Sequence, residues 1–229
     1  MRMNPNISAL TSLLGEKSRV TILAGLMDGK FHTASELAYM AAITPQTASF
    51  HLGKLVDNNL VKTESSGRFR YFQLANQEVA HTLELLMAIS PPPEIRSLKQ
   101  SSQLKRLEHA RTCYDHLAGQ ISITLTKKMQ SLEYIEKKDK NFNVTSKGEL
   151  FFKDLEIDLV ALSKKRRSFS HACLDWSERT HHLGGALGNA LFEKYLEWKW
   201  IESKPNSREI IITPLGKDGF RTYFGIDSI

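Results

Sequence analysis

The chain has two cysteines in 229 residues, Cys113 and Cys173, sixty positions apart. So small a number excludes a disulfide framework and any zinc site built from four cysteines, and it fits a reducing cytoplasm. No apolar run approaches the roughly 18 to 20 residues that cross a bilayer. The first ten residues lack a charged region followed by an apolar stretch, so neither membrane insertion nor secretion is expected. A glycine-rich phosphate loop, a nucleophile elbow and a metal-ligand signature are also missing, and neither an enzyme nor a cofactor is expected.

What is present is enough to fold. Apolar residues make up 41% of the chain, which allows one large domain or two small ones. Thirty-one Lys and Arg stand against twenty-five Asp and Glu, a net of +6. The excess is uneven: residues 91–168 hold sixteen basic and ten acidic side chains, while the segments on either side are close to neutral. Lys164-Lys165-Arg166-Arg167 contributes part of it, as a solvated loop or helix end or as a phosphate-contacting patch.

Pro91-Pro92-Pro93 cannot continue a helix and marks the end of a first domain, 1–92. The expected organisation then has a linker over 93–103 and a second domain over 104–229. In the first domain, Leu10, Leu13, Leu14, Ile22, Leu23 and Leu26 recur at helical spacing around a break near Gly15, and Asp28-Gly29-Lys30 ends that region. Thr33 with Glu36 has the spacing of a capping box and opens a helix to about Ala42. Thr44 suits an N-cap and Pro45 the first helical position, giving a helix to about Asn58. Two short helices so closely joined predict a helix-turn-helix. The run from Leu60 to Leu74, turning at Ser65-Ser66-Gly67, predicts a hairpin, which beside a helix-turn-helix is a wing. A last helix, Gln77 to Ile89, carries Val79, Leu83, Leu85, Leu86, Met87 and Ile89, more apolar surface than an outer helix needs, which predicts a second subunit against it.

The second domain contains an internal repeat. His116-Leu117-Ala118-Gly119 returns as His182-Leu183-Gly184-Gly185, 66 residues later. In the same register Leu117, Ile121, Leu125, Met129, Leu132 and Ile135 correspond to Leu183, Leu187, Leu191, Tyr195, Trp198 and Ile201. Phe142 to Thr145 matches Ile210 to Thr213, and Gly148 and Phe152 match Gly216 and Phe220. Cys113-Tyr114-Asp115 echoes Cys173-Leu174-Asp175. Two copies, about 104–160 and 165–229, are predicted, each reading helix, long helix, wing-like strand and short closing helix. The expected fold class is mainly α with small β-hairpins (α+β).

The helix from Thr44 is the candidate DNA-reading element. Its spacing turns Ala48, Leu52 and Leu55 inward and puts Gln46, Thr47, Ser49, Phe50, His51 and Lys54 on or near the outer face, where such side chains can bond base edges or phosphates. Arg68 and Arg70 flank Phe69 in the wing, so strand alternation places both on one face. A basic wing beside a polar helix is a DNA-docking arrangement.

These first ninety residues resemble the ArsR-type family of winged helix-turn-helix regulators. The resemblance rests on Gly15 to Leu23, Ser35-Glu36-Leu37-Ala38, Ile43 to Leu52, Leu55 to Val61 and the wing. It implies a homodimer joined through the first and last helices of this domain, binding a palindromic double-stranded DNA operator and repressing its own operon. Many members sense metal, but the helix before the recognition helix lacks their paired cysteines, and the closing helix offers only His81 and Glu84, too few for tetrahedral zinc. No metal site is therefore expected.

The second domain is similar to the longer C-terminal region of a subgroup of these regulators, through Arg111 to Gly119 and Cys173 to Arg179. A second domain fused to a DNA-binding module suits a small-molecule effector. Cys113, Asp115, His116, Cys173, Asp175, Trp176, Arg179, His181 and His182 concentrate polar chemistry at equivalent points of both copies. Three readings fit: small core residues with Asp and His satisfying helix ends, an effector or anion pocket, or metal binding or thiol switching through Cys113 and Cys173. An enzyme or an interaction scaffold carrying a winged-helix module are the remaining alternatives.

Overall fold

The computed structural model describes residues 5–227, which form two compact units divided between Leu83 and Glu84. Helices and short strands alternate in both, an α+β architecture.

In the first unit the long helical region breaks at Gly15 into α1 (Ile7–Leu14) and α2 (Lys17–Gly25). Glu16 organises the break. Its carboxylate accepts from the Ser18 and Arg19 amides and caps α2, while the Arg19 guanidinium donates back to the Leu13 and Ser12 carbonyls that end α1. Gly29, at φ 71°, closes the helical turn after α2, a conformation that suits a residue without Cβ. The short strand β1 (His32–Thr33) leads into α3 (Ala34–Ala41), whose start is the predicted capping box of Thr33 and Glu36. Thr44 caps α4 (Pro45–Asp57) through the Thr47 amide. The wing is β2 (Val61–Ser66) and β3 (Phe69–Leu74), with β1 on the far side of β3 as a third strand.

The wing tip departs from the expected turn. Ser65 and Ser66 remain in β2, and pairing of Ser66 with Phe69 leaves the two-residue loop Gly67-Arg68, in which Gly67 accepts φ 58°. Arg68 therefore lies in the turn, where strand alternation does not govern it. The division between the units also departs from the expected one. It falls inside α5 (Gln77–Ile89) rather than at the prolines. Residues 98–103, expected as linker, are the first half of α6 (Leu98–His109), because the Ser97 hydroxyl accepts from the Gln100 amide and caps a helix there.

The second unit continues with β4 (Arg111–Cys113), β5 (His116–Ala118), α7 (Gln120–Ser131), β6 (Ile135–Lys138), β7 (Asn141–Val144) and α8 (Ser146–Asp154). After α9 (Leu159–Ser163) come β8 (His171–Leu174), β9 (His181–Gly184), α10 (Gly185–Glu197), β10 (Ile201–Ser203), β11 (Ile210–Ile212) and α11 (Pro214–Phe224). The strands pair as four antiparallel hairpins. Hairpin β8–β9 stands where the sequence predicts the opening helix of a second copy, and β4–β5 intervenes before α7.

Leu117, Ile121, Leu125, Met129 and Ile135 enter the same core as Leu183, Leu187, Leu191, Tyr195 and Ile201. Trp198 packs at its margin, and Leu132 is half-buried. Phe142, Phe152, Phe220 and Phe224 complete it, and Trp200 stacks on Tyr195 with ring centroids 5.7 Å apart. The two closing helices start alike: Thr145 and Thr213 cap α8 and α11, and each glycine three residues on presses against a backbone carbonyl. A Cβ on Gly148 would lie 1.9 Å from the Tyr134 oxygen, and one on Gly216 2.0 Å from the Trp200 oxygen.

These contacts set the sign of two substitutions. Gly216→Ala forces backbone apart and should destabilise the second unit by about 1–3 kcal/mol in urea titration, whereas Gly53→Ala, inside α4 with nothing within 4 Å, should stabilise the first by about 0.5–1 kcal/mol. The Ser18 amide, with lesser help from Arg19 and His51, holds the Glu16 carboxyl at about 2 instead of 4.5 against the opposing effect of burial. A depressed carboxyl contributes its full stability above its unfolded pKa and loses it as pH falls through the folded one. Stability of the Glu16→Gln variant should therefore change less between pH 4.5 and pH 2 than that of the parent chain.

Candidate functional site

On α4 the buried side chains are Ala48, His51, Leu52 and Leu55. Thr44, Gln46, Thr47, Ser49, Phe50 and Lys54 are exposed. His51 is a correction to the expectation from sequence, which places it outward. It sits at i+3 from Ala48 on the inward stripe, with Nε2 3.5 Å from the Glu16 carboxylate. Its role is in holding α4 to the break between α1 and α2. Outside, the Lys54 ammonium lies over the Phe50 ring, 4.4 Å from its centroid. The Thr44 and Thr47 hydroxyls are 2.9 Å apart at the helix start. In the exposed wing, Arg68 stacks on Phe69 and Arg70 on Phe72, with guanidinium carbons 5.2 and 5.3 Å from the ring centroids. Cations held on aromatic rings and an amide-and-hydroxyl helix face together offer the donors and acceptors that duplex DNA requires.

The second unit gathers most of the chemistry singled out around the two cysteines. Cys113 on β4 is paired in register with His116 on β5, and Cys173 on β8 with His182 on β9. The hairpins bring the pairs together: Sγ of Cys113 is 3.7 Å from Sγ of Cys173, and Nε2 of His116 is 3.1 Å from Nε2 of His182. All four residues are buried. The expected effector pocket is thus a filled cluster rather than a cavity, because both hairpins turn these side chains toward each other. A cleft of about 490 Å³ lies among other residues, His109, Gln120, Ile121, Thr124, Lys217 and Arg221 among them.

Each imidazole has a carboxylate at its outer nitrogen. Asp115 Oδ1 is 3.2 Å from His116 Nδ1, and Asp175 Oδ2 is 3.7 Å from His182 Nδ1. Each carboxylate is matched in turn by an arginine from the other hairpin's side: Asp115 by Arg167, which precedes β8, and Asp175 by Arg111, the first residue of β4, at 2.8 Å. Asp175 also accepts from the Gly119 amide at 2.7 Å and from Ser177 and Glu178, so one side chain fixes hairpin β8–β9 against the start of α7. Trp176 covers the Arg111 guanidinium at 4.3 Å. Arg179 stands outside the cluster, and His181 is 3.1 Å from the Lys137 ammonium.

Burial works against the charged form of all these groups, and neighbours decide the outcome. Arg111 outweighs burial at Asp175, holding its carboxyl well below the usual range, and His116 and Arg167 lower Asp115. The Cys113 thiol is pushed up by its hydrogen bond with Cys173 and by burial. At His182 burial wins, with His116 adding to it, and the imidazole is pushed well below its usual range. His116, against Cys113 and Asp115, is raised instead.

Sequence alone does not pick out Arg111 and Arg167 as partners of the two aspartates. The available signal is position, since Arg111 lies two residues before Cys113 on a strand and shares its face. Nor does spacing along the chain bring Cys173 and His182 beside Cys113 and His116; the fold does so from the other hairpin. Glu84, one of the two closing-helix side chains with metal-ligating chemistry, accepts from Arg208 at 2.5 Å. Of the basic run, Arg167 is taken by Asp115, while Lys164, Lys165 and Arg166 are exposed. No described helix is long and apolar enough to cross a membrane.

Residues 14–64 match the family model described as a helix-turn-helix domain. Among solved structures, the chain is similar to the homodimeric winged helix-turn-helix DNA-binding domain of Mb0332 from Mycobacterium bovis, a possible ArsR-family transcriptional regulator. The two share 21% identity over 39% of this chain and 89% of that one, with a TM-score of 0.34. NolR from Sinorhizobium fredii is 23% identical over 39% of this chain and 95% of its own, with a TM-score of 0.35. Far nearer is YdfF of Bacillus subtilis (strain 168), an uncharacterized HTH-type transcriptional regulator, 48% identical over 224 residues that cover 98% of this chain and 99% of the relative. With that likeness running from end to end of both proteins, this chain belongs to the family of DNA-binding HTH-type transcriptional regulators.

Proposed function

We propose that the protein is a repressor that binds a palindromic operator as a homodimer, with its second unit responding to a small ligand. The exposed polar face of α4 beside the basic wing carries the DNA-binding part of this reading. Gln46, Thr47 and Ser49 read base edges in the major groove, while Lys54, Arg68 and Arg70 engage phosphates or the adjoining minor groove. The homodimer is supported by apolar side chains left exposed on the first and last helices of the winged-helix region: Ile7 on α1, and Leu85, Leu86 and Ile89 on α5. Two-fold symmetry of the protein then asks for two-fold symmetry in the operator.

The second unit, in this reading, is a duplicated module. Gly119 and Gly185 open α7 and α10 with φ 87° and 81°, Gly148 and Gly216 meet backbone in the same way, and one core receives both apolar series. The cleft between His109 and Arg221 has the size of a small-molecule site and is the place for an effector. Through it a ligand favouring one dimer geometry alters DNA affinity by shifting a population.

Anisotropy titration with a labelled duplex from the protein's own upstream region tests the assignment. Arg70→Ala should weaken binding by about 1–3 kcal/mol on every sequence and reduce the salt slope by about 1, while Gln46→Ala should relax preference at one operator position. Equal effects of the two substitutions on all sequences would contradict these roles. Sedimentation should give twice the chain mass of 26.0 kDa, and Ile89→Glu should return the monomer and lose operator binding.

A further inference from the structure

We infer that Cys113, His116, Cys173 and His182 form a closed tetrahedral site for one Zn²⁺ ion, with two ligands from each of the hairpins β4–β5 and β8–β9. Strand register makes the site possible. Within each hairpin the cysteine and the histidine are cross-strand partners, which puts both side chains on one face of the ribbon and within a few ångströms of each other. The hairpins then face one another, and the four potential ligand atoms all lie within 4.8 Å of one another.

The S···S and N···N edges have the lengths a zinc tetrahedron demands. Zn–S bonds of about 2.3 Å and Zn–N bonds of about 2.0–2.1 Å at tetrahedral angles imply an S···S edge of roughly 3.8 Å and an N···N edge of roughly 3.3 Å. The observed separations are 3.7 Å and 3.1 Å. A disulfide would need its sulfurs at about 2.05 Å, far closer than they are.

Orientation agrees with distance. Both imidazoles point Nε2 to the centre and turn Nδ1 toward a carboxylate, Asp115 at 3.2 Å and Asp175 at 3.7 Å. Carboxylate behind histidine is the usual outer support of a metal ligand, fixing the ring and raising its basicity. His182 Nδ1, buried and without a hydrogen-bond partner among the described residues, faces Asp175 alone on its outer side. Gly184 also matters, since a Cβ there would come within 3.1 Å of His116 Nε2 and crowd the centre.

The donor set selects the ion. Two thiolates and two imidazoles in tetrahedral array suit Zn²⁺, whereas oxygen-seeking Mg²⁺ and Ca²⁺ find no carboxylate or carbonyl ligand in the set. All four residues are at most 3% exposed, which leaves no open position for a substrate and makes the ion a structural one. Binding releases both thiol protons and any proton on a ligating Nε2 to solvent, while His116 Nδ1 keeps its proton and donates it to the Asp115 carboxylate. The ion would clamp two segments sixty residues apart, and this assignment does not depend on the DNA-binding reading.

The test uses the full chain. Native mass spectrometry and elemental analysis of protein folded with zinc supplied should give one Zn²⁺ per chain, and a mercurial titration should release it as two thiols react. Replacement by Co²⁺ should produce the intense ligand-field bands of a tetrahedral ion together with thiolate-to-cobalt charge transfer. Cys113→Ser and Cys173→Ser should each abolish stoichiometric binding. Because either variant can fail to fold, Asp115→Asn serves as the milder probe, expected to weaken zinc affinity by roughly 10–100-fold with the fold kept. Wild-type chain that is folded by circular dichroism but holds no zinc at a one-to-one supply overturns the assignment. So does a cobalt adduct lacking the charge-transfer band, or a Cys113–Cys173 disulfide formed with zinc present.

Discussion

One carboxylate orders much of the second unit. Asp175 is wholly buried, and its two oxygens take the Arg111 guanidinium, the Ser177 hydroxyl and the amides of Gly119, Ser177 and Glu178. Removing a buried charge of this kind leaves a partner stranded in low dielectric, which costs about 3–5 kcal/mol, although the intact pair adds little net stability. Its value is in position. Because Asp175 reaches across to the first turn of α7, the hairpin that carries Cys173 and His182 can settle in only one place. Asp115 and Arg167 make the reciprocal tie from the other side, so the thiol and imidazole pairs meet face to face.

The first unit rests on more local forces. Glu16, Thr33 and Thr44 each cap the next helix, and Gly29 closes the turn after the second, all within a few residues of sequence. Such signals survive without tertiary context, which is why α3, α4 and the wing are legible in the sequence almost to the residue. The apolar series of α7 and α10 is equally plain, because each repeats at helical spacing over several turns. Local forces also leave the outer face of α4 without structural duty, and exposed polar side chains there are available to a partner.

The features that sequence leaves hidden have common physical causes. Strands of three or four residues, such as β4 and β8, are too short for alternation to distinguish them, and their register is fixed by contacts from distant segments. The closeness of the two cysteines is hidden for that reason: Cys113 and Cys173 are buried neighbours only once both hairpins exist. The polarity of His51 points outward while its spacing points inward, and spacing wins, since Ala48, His51, Leu52 and Leu55 fall at i, i+3, i+4 and i+7. Arg68 leaves the strand because the wing turns one residue later than expected, and nothing in Ser65-Ser66-Gly67 announces which pair closes the loop.

The aromatic packing around Trp200 has a practical corollary. The chain's three tryptophans, Trp176, Trp198 and Trp200, all lie beyond Leu83, one over Arg111, one stacked on Tyr195 and one against Trp200. Indole emission excited at the red edge of the ultraviolet therefore watches the second unit and is blind to the winged helix. Melting of the second unit can be followed by itself, with no label attached.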